Sequence, residues 1–156
     1  MTFIIILSII LTFTDQLSKF IVIKALNVNH SIEVIKNFFY LTYTHNKGAA
    51  FSILTGKRIF LVLIAIFIIA AILYYLKKNT PNNSLSKIAF SFVIGGSLGN
   101  LIDRIMYGYV IDFLDFIIFG YDFPVFNIAD SFITIGAIGL IISILFLNKE
   151  GENAGN

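Results

Sequence analysis

The chain has 156 residues, 58% of them hydrophobic and 13% charged, with a formal net charge of +2. A soluble domain runs at roughly 45–50% apolar and roughly 25% charged, so one soluble core of this length would leave large apolar patches exposed. The composition excludes a disordered chain and a basic nucleic-acid binder, and the absence of cysteine excludes disulfides, thiolate metal sites and a cysteine nucleophile. A polytopic membrane protein remains.

Gaps between charges mark the spans. No ionisable side chain precedes Asp15, Ile59 to Leu76 is wholly apolar between Arg58 and Lys77, and neither Ile88–Ile102 nor Ser131–Asn148 carries a charge. A spanning helix needs about 17–25 residues to cross a hydrocarbon layer of about 30 Å. The second and fourth runs reach that length. The first and third do so only with Asp15, Lys19, Asp103 and Arg104 at membrane depth or close to an interface. The expectation is an all-α membrane protein forming one domain over residues 1–156, with helices near 3–24, 58–77, 87–107 and 127–148. The N-terminal run lacks a positive n-region and a small-residue cleavage site and continues into Asp15-Gln16, so it reads as mature structure rather than a signal peptide.

Four spans put both termini on the side of the 77–87 loop. Lys77, Lys78, Lys87 and Lys149 there face Lys24, Lys36, Lys47, Lys57 and Arg58 in the first connection, so charge bias leaves the orientation open. That first connection, residues 25–56, is too long for a turn. Its Ile32–Ile35 and Phe38–Tyr43 segments are β-branched and aromatic, which predicts a small sheet resting at the membrane interface. In the last connection, from Gly108 to Phe126, the stretch from Phe113 to Phe119 is compatible with an interfacial helix.

Ionisable groups in a span are costly, which makes them functional candidates when a partner can be named. Asp15 and Lys19 stand four apart in the favourable order for an ion pair on one helix face, and that pair serves equally well to ease the end of the first span. Asn100 and Asp103 share a face, while Arg104 is suited to neutralising a carboxylate and fixing a loop. Gly95 and Gly99 form a G-x-x-x-G that lets a neighbouring helix approach closely.

Asn127 is a good N-cap for the fourth helix, with Asp130 in its first turn. Capping accounts for Asp130 but leaves Asp112 unexplained, an acid within the apolar run Val110-Ile111-Asp112-Phe113. If the third and fourth helices are antiparallel neighbours, Asp112 and Asp130 meet at one membrane face. Two close carboxylates share a proton, so one can deprotonate water while the other polarises a carbonyl. Other hydrolytic schemes fit less well. His30 and His45, the only histidines, lie in the first connection without a zinc spacing, and Ser97 has no histidine in a span to activate it. Tyr121-Asp122 loosely echoes the Tyr-Asp of presenilin-type proteases, but the companion Gly-x-Gly-Asp is absent.

Gly95-Gly96-Ser97-Leu98-Gly99-Asn100-Leu101-Ile102-Asp103-Arg104, Val110-Ile111-Asp112-Phe113 and Phe126-Asn127-Ile128-Ala129-Asp130 together resemble bacterial lipoprotein signal peptidase (signal peptidase II). His45-Asn46-Lys47-Gly48-Ala49-Ala50-Phe51 and Asp15 with Lys19 match as well, so the resemblance spans nearly the whole chain. Ser97 replaces the family's usual alanine, and the common N-terminal extension is nearly absent.

The resemblance implies a four-helix aspartic peptidase of the bacterial cytoplasmic membrane, with both termini cytoplasmic and the site near the extracytoplasmic face. Asp112 and Asp130 match the catalytic pair. Asn46, Gly48, Asn100, Arg104, Asn127 and Ala129 match residues that line or support the site, and Asp15, Lys19 and Asp103 match stabilising polar residues. The implied substrate is a prolipoprotein carrying diacylglycerol on its lipobox cysteine, cut just before that cysteine. Membrane lipids are the other implied partner, with no nucleic acid, no cofactor or metal, a monomeric state and sensitivity to globomycin. The alternative is a small proton-coupled transporter with Asp15 or Asp130 as proton carrier, which leaves the two long aromatic connections without a purpose. A scaffold protein would make both acids dispensable.

Overall fold

The computed structural model describes residues 1–48 and 54–147. The chain runs α1 (Thr2–Ala25), β1 (Ser31–Ile35), β2 (Phe39–Asn46), α2 (Arg58–Lys78), α3 (Ser84–Met106), β3 (Val110–Ile118), β4 (Tyr121–Asp122) and α4 (Ile128–Ile142). A π-helical turn, Ser143–Leu147, continues α4. All four helices are long and apolar enough to cross a membrane, the fourth counted through Leu145. Asn148, the expected end of that helix, and Lys149 lie outside the described residues, as do Ala49, Ala50 and Phe51 of the first-connection motif.

Local chemistry sets the helix ends. The Asn83 side chain caps α3 by accepting from the Ser86 N–H, and Lys77 and Lys78 occupy the last turn of α2, where a cation complements the helix dipole. Asn127 and Asp130 form a reciprocal capping box on α4: each side chain accepts from the other's backbone N–H.

Helix α3 is the centre of the bundle, packed against α1, α4 and α2. Helix α2 is apolar on every side and buries only Ile69 and Leu76, which suits a helix bathed in lipid. The glycines of α3 serve two neighbours. A Cβ on Gly95 would meet Ser8 and Leu11 of α1, whereas one on Gly96 would meet the Ala129 carbonyl and Ile133 of α4. Across the α1–α3 contact Ser8 Oγ donates to Ser91 O at 3.2 Å and Thr12 Oγ1 to Gly95 O at 3.0 Å. Where hydrocarbon gives helices no hydrophobic drive to associate, such close approaches and hydrogen bonds hold them together.

Both long connections build one antiparallel sheet, ordered β1-β2-β3-β4. The sheet expected from the first connection is present, and the last connection completes it. The Phe113–Phe119 stretch is therefore not an interfacial helix: residues 110–118 are a strand. Its β-branched and aromatic side chains fit a pleated surface, and its partner β2 lies some seventy residues earlier, beyond the reach of any local pattern. The register sets Thr44 opposite Asp112 and Asn46 opposite Val110, with an irregularity between Leu41 and Thr44. Val22 of α1 and Leu26 just after it pack with Tyr43, Ile111 and Phe113 into a core that seats the sheet on the end of the bundle.

Candidate active site

Four short segments converge under the sheet: the end of β2, the start of β3, the last turns of α3 and the first turn of α4. They bring Asn46, Asp112, Asn100, Arg104 and Asp130 to the wall of one cavity of about 620 Å³, whose other lining is largely apolar and includes Phe123, Pro124, Phe126 and Ile133.

Asparagines hold the two carboxyl groups. Asp112 accepts from Asn127 Nδ2 at 2.6 Å and from Asn46 Nδ2 at 2.9 Å, one donor to each oxygen. Asp130 accepts from Asn100 Nδ2 at 2.7 Å and from the Asn127 backbone N–H at 3.2 Å. Asn127 is fully buried and touches both acids. Asp112 is itself buried, and burial, with the negative charge of Asp130 second, pushes its carboxyl up to about 7 against the pull of the Asn46 and Asn127 hydrogen bonds and the Lys19 charge. A carboxyl there holds or releases a proton near neutrality. That is the property a general acid needs.

The next layer keeps these groups in place. Asn46 Oδ1 accepts from the Gly48 N–H at 2.9 Å, and the Gly48 carbonyl accepts from Arg104 Nη2 at 3.0 Å, so Arg104 fixes the segment after β2. Ala129 is fully buried, and its N–H donates to Asp15 Oδ1 at 3.0 Å. Lys19 pairs with Asp15 and with Asp103, each at 2.8 Å, and all three side chains are within 1% of complete burial. Asp103 also accepts from the Ile111 N–H at 3.1 Å, beside Asp112 in β3. The eleven residues that the resemblance matches to the site or its polar support thus lie in one connected network. Asp15 and Lys19 do form the expected pair, but as part of a triad, and it ties α1 to α3, α4 and β3.

Three contributors escape a reading of the sequence. Gln16 Nε2 donates to Asp103 Oδ1 at 2.8 Å and to the Gly99 carbonyl at 3.1 Å, and an amide inside an apolar run was its one visible signal. Arg58 donates to the carbonyls of Arg104 and Ile105, both at 2.8 Å, and so satisfies the open end of α3. His45 stacks on Tyr109 with ring centroids 3.7 Å apart and hydrogen-bonds the Tyr43 hydroxyl at 3.0 Å, clamping β2 just before Asn46. The matching first-connection motif contains His45 but gives no hint of its stacking partner, and nothing local announces Arg58.

The signal peptidase (SPase) II family model matches residues 7–146, nearly all of the chain. The chain belongs to the signal peptidase II family. Lipoprotein signal peptidases of Staphylococcus aureus, among them those of strains JH9 and Newman, are 44% identical over 141 residues, covering 90% of this chain and 86% of theirs. Two solved bacterial membrane enzymes, determined by the in meso method at 2.3 and 1.9 Å resolution, share 43% identity. The first superposes with a TM-score of 0.85 over 91% of this chain and 87% of its own, the second with 0.83 over 92% of each. As a signal peptidase II the chain is a peptidase, and its four apolar helices make it a multi-pass membrane protein.

Proposed function

We propose that this chain is an aspartic endopeptidase that removes the signal peptide from diacylglyceryl-modified prolipoproteins, cutting before the lipidated cysteine, with Asp112 and Asp130 as the catalytic pair. The observation that carries the assignment is Asn127: its side chain binds Asp112 and its backbone N–H binds Asp130, so one residue holds two buried acids on one cavity in a family of peptidases.

Asp112 carries the shared proton, since its carboxyl sits near 7. Asp130, in the first turn of α4 and held by two N–H donors, is the ionised partner, where the positive end of the helix dipole favours a negative charge. Asp130 takes a proton from water as the water oxygen bonds to the scissile carbonyl carbon, and Asp112 gives its proton to the carbonyl oxygen. The tetrahedral diol then collapses: Asp130 passes its new proton to the amide nitrogen as the C–N bond breaks, Asp112 takes back a proton from a diol hydroxyl, the cysteine amine leaves, and the signal peptide acquires a new carboxyl group. The titration of the two acids belongs to the pair. Asn46, Asn100 and Asn127 orient the pair, Arg104 and Gly48 hold the segment that carries Asn46, and Ala129 anchors the start of α4 to Asp15.

The single domain spans residues 1–156 and works as a monomer in the bacterial cytoplasmic membrane, with both termini cytoplasmic and the cavity at the extracytoplasmic face. A site beside the sheet, at the end of the bundle away from the termini, suits a substrate whose lipid anchor holds its cleavage point at the bilayer surface. Apolar side chains around the cavity, Phe123 and Phe126 among them, suit acyl chains and exclude surplus water from the acids.

Purified protein incubated with a diacylglyceryl-modified prolipoprotein tests this directly, comparing wild type with Asp112→Asn and Asp130→Asn. Loss of cleavage in both folded variants is the expected result, and cleavage that survives either substitution rejects the pair. A proton-coupled transporter would instead dissipate a pH gradient across vesicles and leave the prolipoprotein intact.

A further inference from the structure

Among the described residues Lys19 is the one fully buried cation, and its three N–H bonds go to three different acceptors. Two are the carboxylates of Asp15 and Asp103, each at 2.8 Å. The third is the side-chain carbonyl of Asn100, at 3.1 Å. Neutralising two acids requires only the first two contacts, so the third needs its own account.

Asn100 Oδ1 also accepts from Asn127 Nδ2 at 3.1 Å. With two donors on that oxygen, the Asn100 carboxamide has a single tenable orientation, because turning it over would set its NH₂ against the Lys19 ammonium. In that orientation Nδ2 points at Asp130 Oδ1 and donates to it at 2.7 Å. Ammonium, amide oxygen, amide nitrogen and carboxylate thus form one directed chain from α1 through α3 to α4.

We propose that Lys19 is a positioning residue for peptide hydrolysis, acting through Asn100 to aim the Asp130 carboxylate, in addition to its part in the ion triad. The inference rests on Asp112 and Asp130 being the catalytic pair. Lys19 never touches substrate. It fixes which end of an amide faces a reacting acid, and a carboxylate turned away from its water loses rate far more readily than binding.

Lys19→Met alone leaves Asp15 and Asp103 as buried acids without their cation, which threatens the fold. The decisive variant is therefore Lys19→Met/Asp103→Asn, which removes one charge of each sign, keeps an acceptor for the Ile111 N–H, and leaves Asp15 as the single acid without the cation, still held by the Ala129 N–H and the Gln16 amide. Cleavage of a diacylglyceryl-modified prolipoprotein is measured alongside melting temperature, with Asn100→Ala and the Lys19→Met/Asp103→Asn/Asn100→Ala combination completing a cycle. The expected result is a melting temperature above that of Lys19→Met alone, kcat of the folded protein lower by about 10- to 100-fold with KM within about twofold, and little further loss when Asn100→Ala is added. Wild-type kcat in the charge-balanced variant, or losses that multiply independently with Asn100→Ala, overturns the proposal. Asp112→Asn runs beside these variants: cleavage by it discards the catalytic pair itself, whereas an inactive Asp112→Asn with a fully active charge-balanced variant discards only the role of Lys19.

Discussion

Asn127 Nδ2 lies 2.6 Å from Asp112 Oδ1, while Asn127 Oδ1 accepts the Asp130 N–H at 2.9 Å, so one carboxamide caps a helix with its oxygen and holds a buried acid of the cavity with its nitrogen. The two jobs separate by substitution. Asn127→Asp keeps a capping oxygen but has no N–H for Asp112 and brings a third carboxylate against the pair. Asn127→Ala removes both functions, with about 1 kcal/mol lost from the cap. Cleavage rates and melting curves of the two variants should therefore diverge. Both lose turnover by about tenfold or more, and Asn127→Asp loses at least as much as Asn127→Ala although it retains a cap. If Asn127→Asp cleaves at the wild-type rate, the cap was the residue's whole function.

Gly96 sits at a close approach between α3 and α4: an added Cβ would run into the Ala129 carbonyl and reach within 2.9 Å of Ile133 Cγ1. Backbone cannot yield as a flexible side chain does, so Gly96→Ala forces the helices apart at the residue next to Asp130. The expected cost is about 1–3 kcal/mol together with a marked loss of cleavage. Gly120 provides the contrast. Its φ of +78° strains any side chain, but an added Cβ meets nothing within 4 Å. Gly120→Ala should cost about 1 kcal/mol and leave the site geometry untouched. Melting temperatures and cleavage rates of the pair distinguish a packing requirement at the site from a turn requirement remote from it.

How much of this was legible in the sequence depended on whether the signal was local. The four helices could be read because a charge in hydrocarbon is expensive, so gaps between charged residues outline the spans. Asp112 and Asp130 stood out for the same reason, being acids in apolar surroundings that capping alone did not explain. Strand β3 was hidden because its identity comes from pairing with β2. Taken alone, Phe113–Phe119 is apolar apart from Asp115, shows no strict alternation, and suits a helix equally well. The triad around Lys19 was half legible: the spacing of Asp15 and Lys19 gave one pair, but only the close packing of α1 on α3 brings in Asp103 and Asn100. Arg58 looked like a loop-end charge, and its purpose appears only once the carbonyls ending α3 are seen beside it.

Asp112 makes stability and activity both fall as pH rises, stability below about pH 7 and activity above it. Its ordinary pKa of 3.8 rises to about 7 in the fold. Between those values the folded chain holds a proton that the unfolded chain has released, so stability falls as pH rises through the window and levels off above it. Asp112→Asn removes that dependence. Any offset the amide itself introduces is the same at every pH, so the variant's melting temperature should climb relative to wild type between about pH 4 and about pH 7, a relative gain of a few kcal/mol. If Asp112 is the proton donor of the proposed pair, its proton polarises the scissile carbonyl, and cleavage should decline as pH rises past about 7. Parallel melting and rate profiles check both arms. A melting difference between variant and wild type that stays constant from pH 4 to pH 8 would show that Asp112 is not held protonated by its surroundings, and the residue could not then serve as the proton donor.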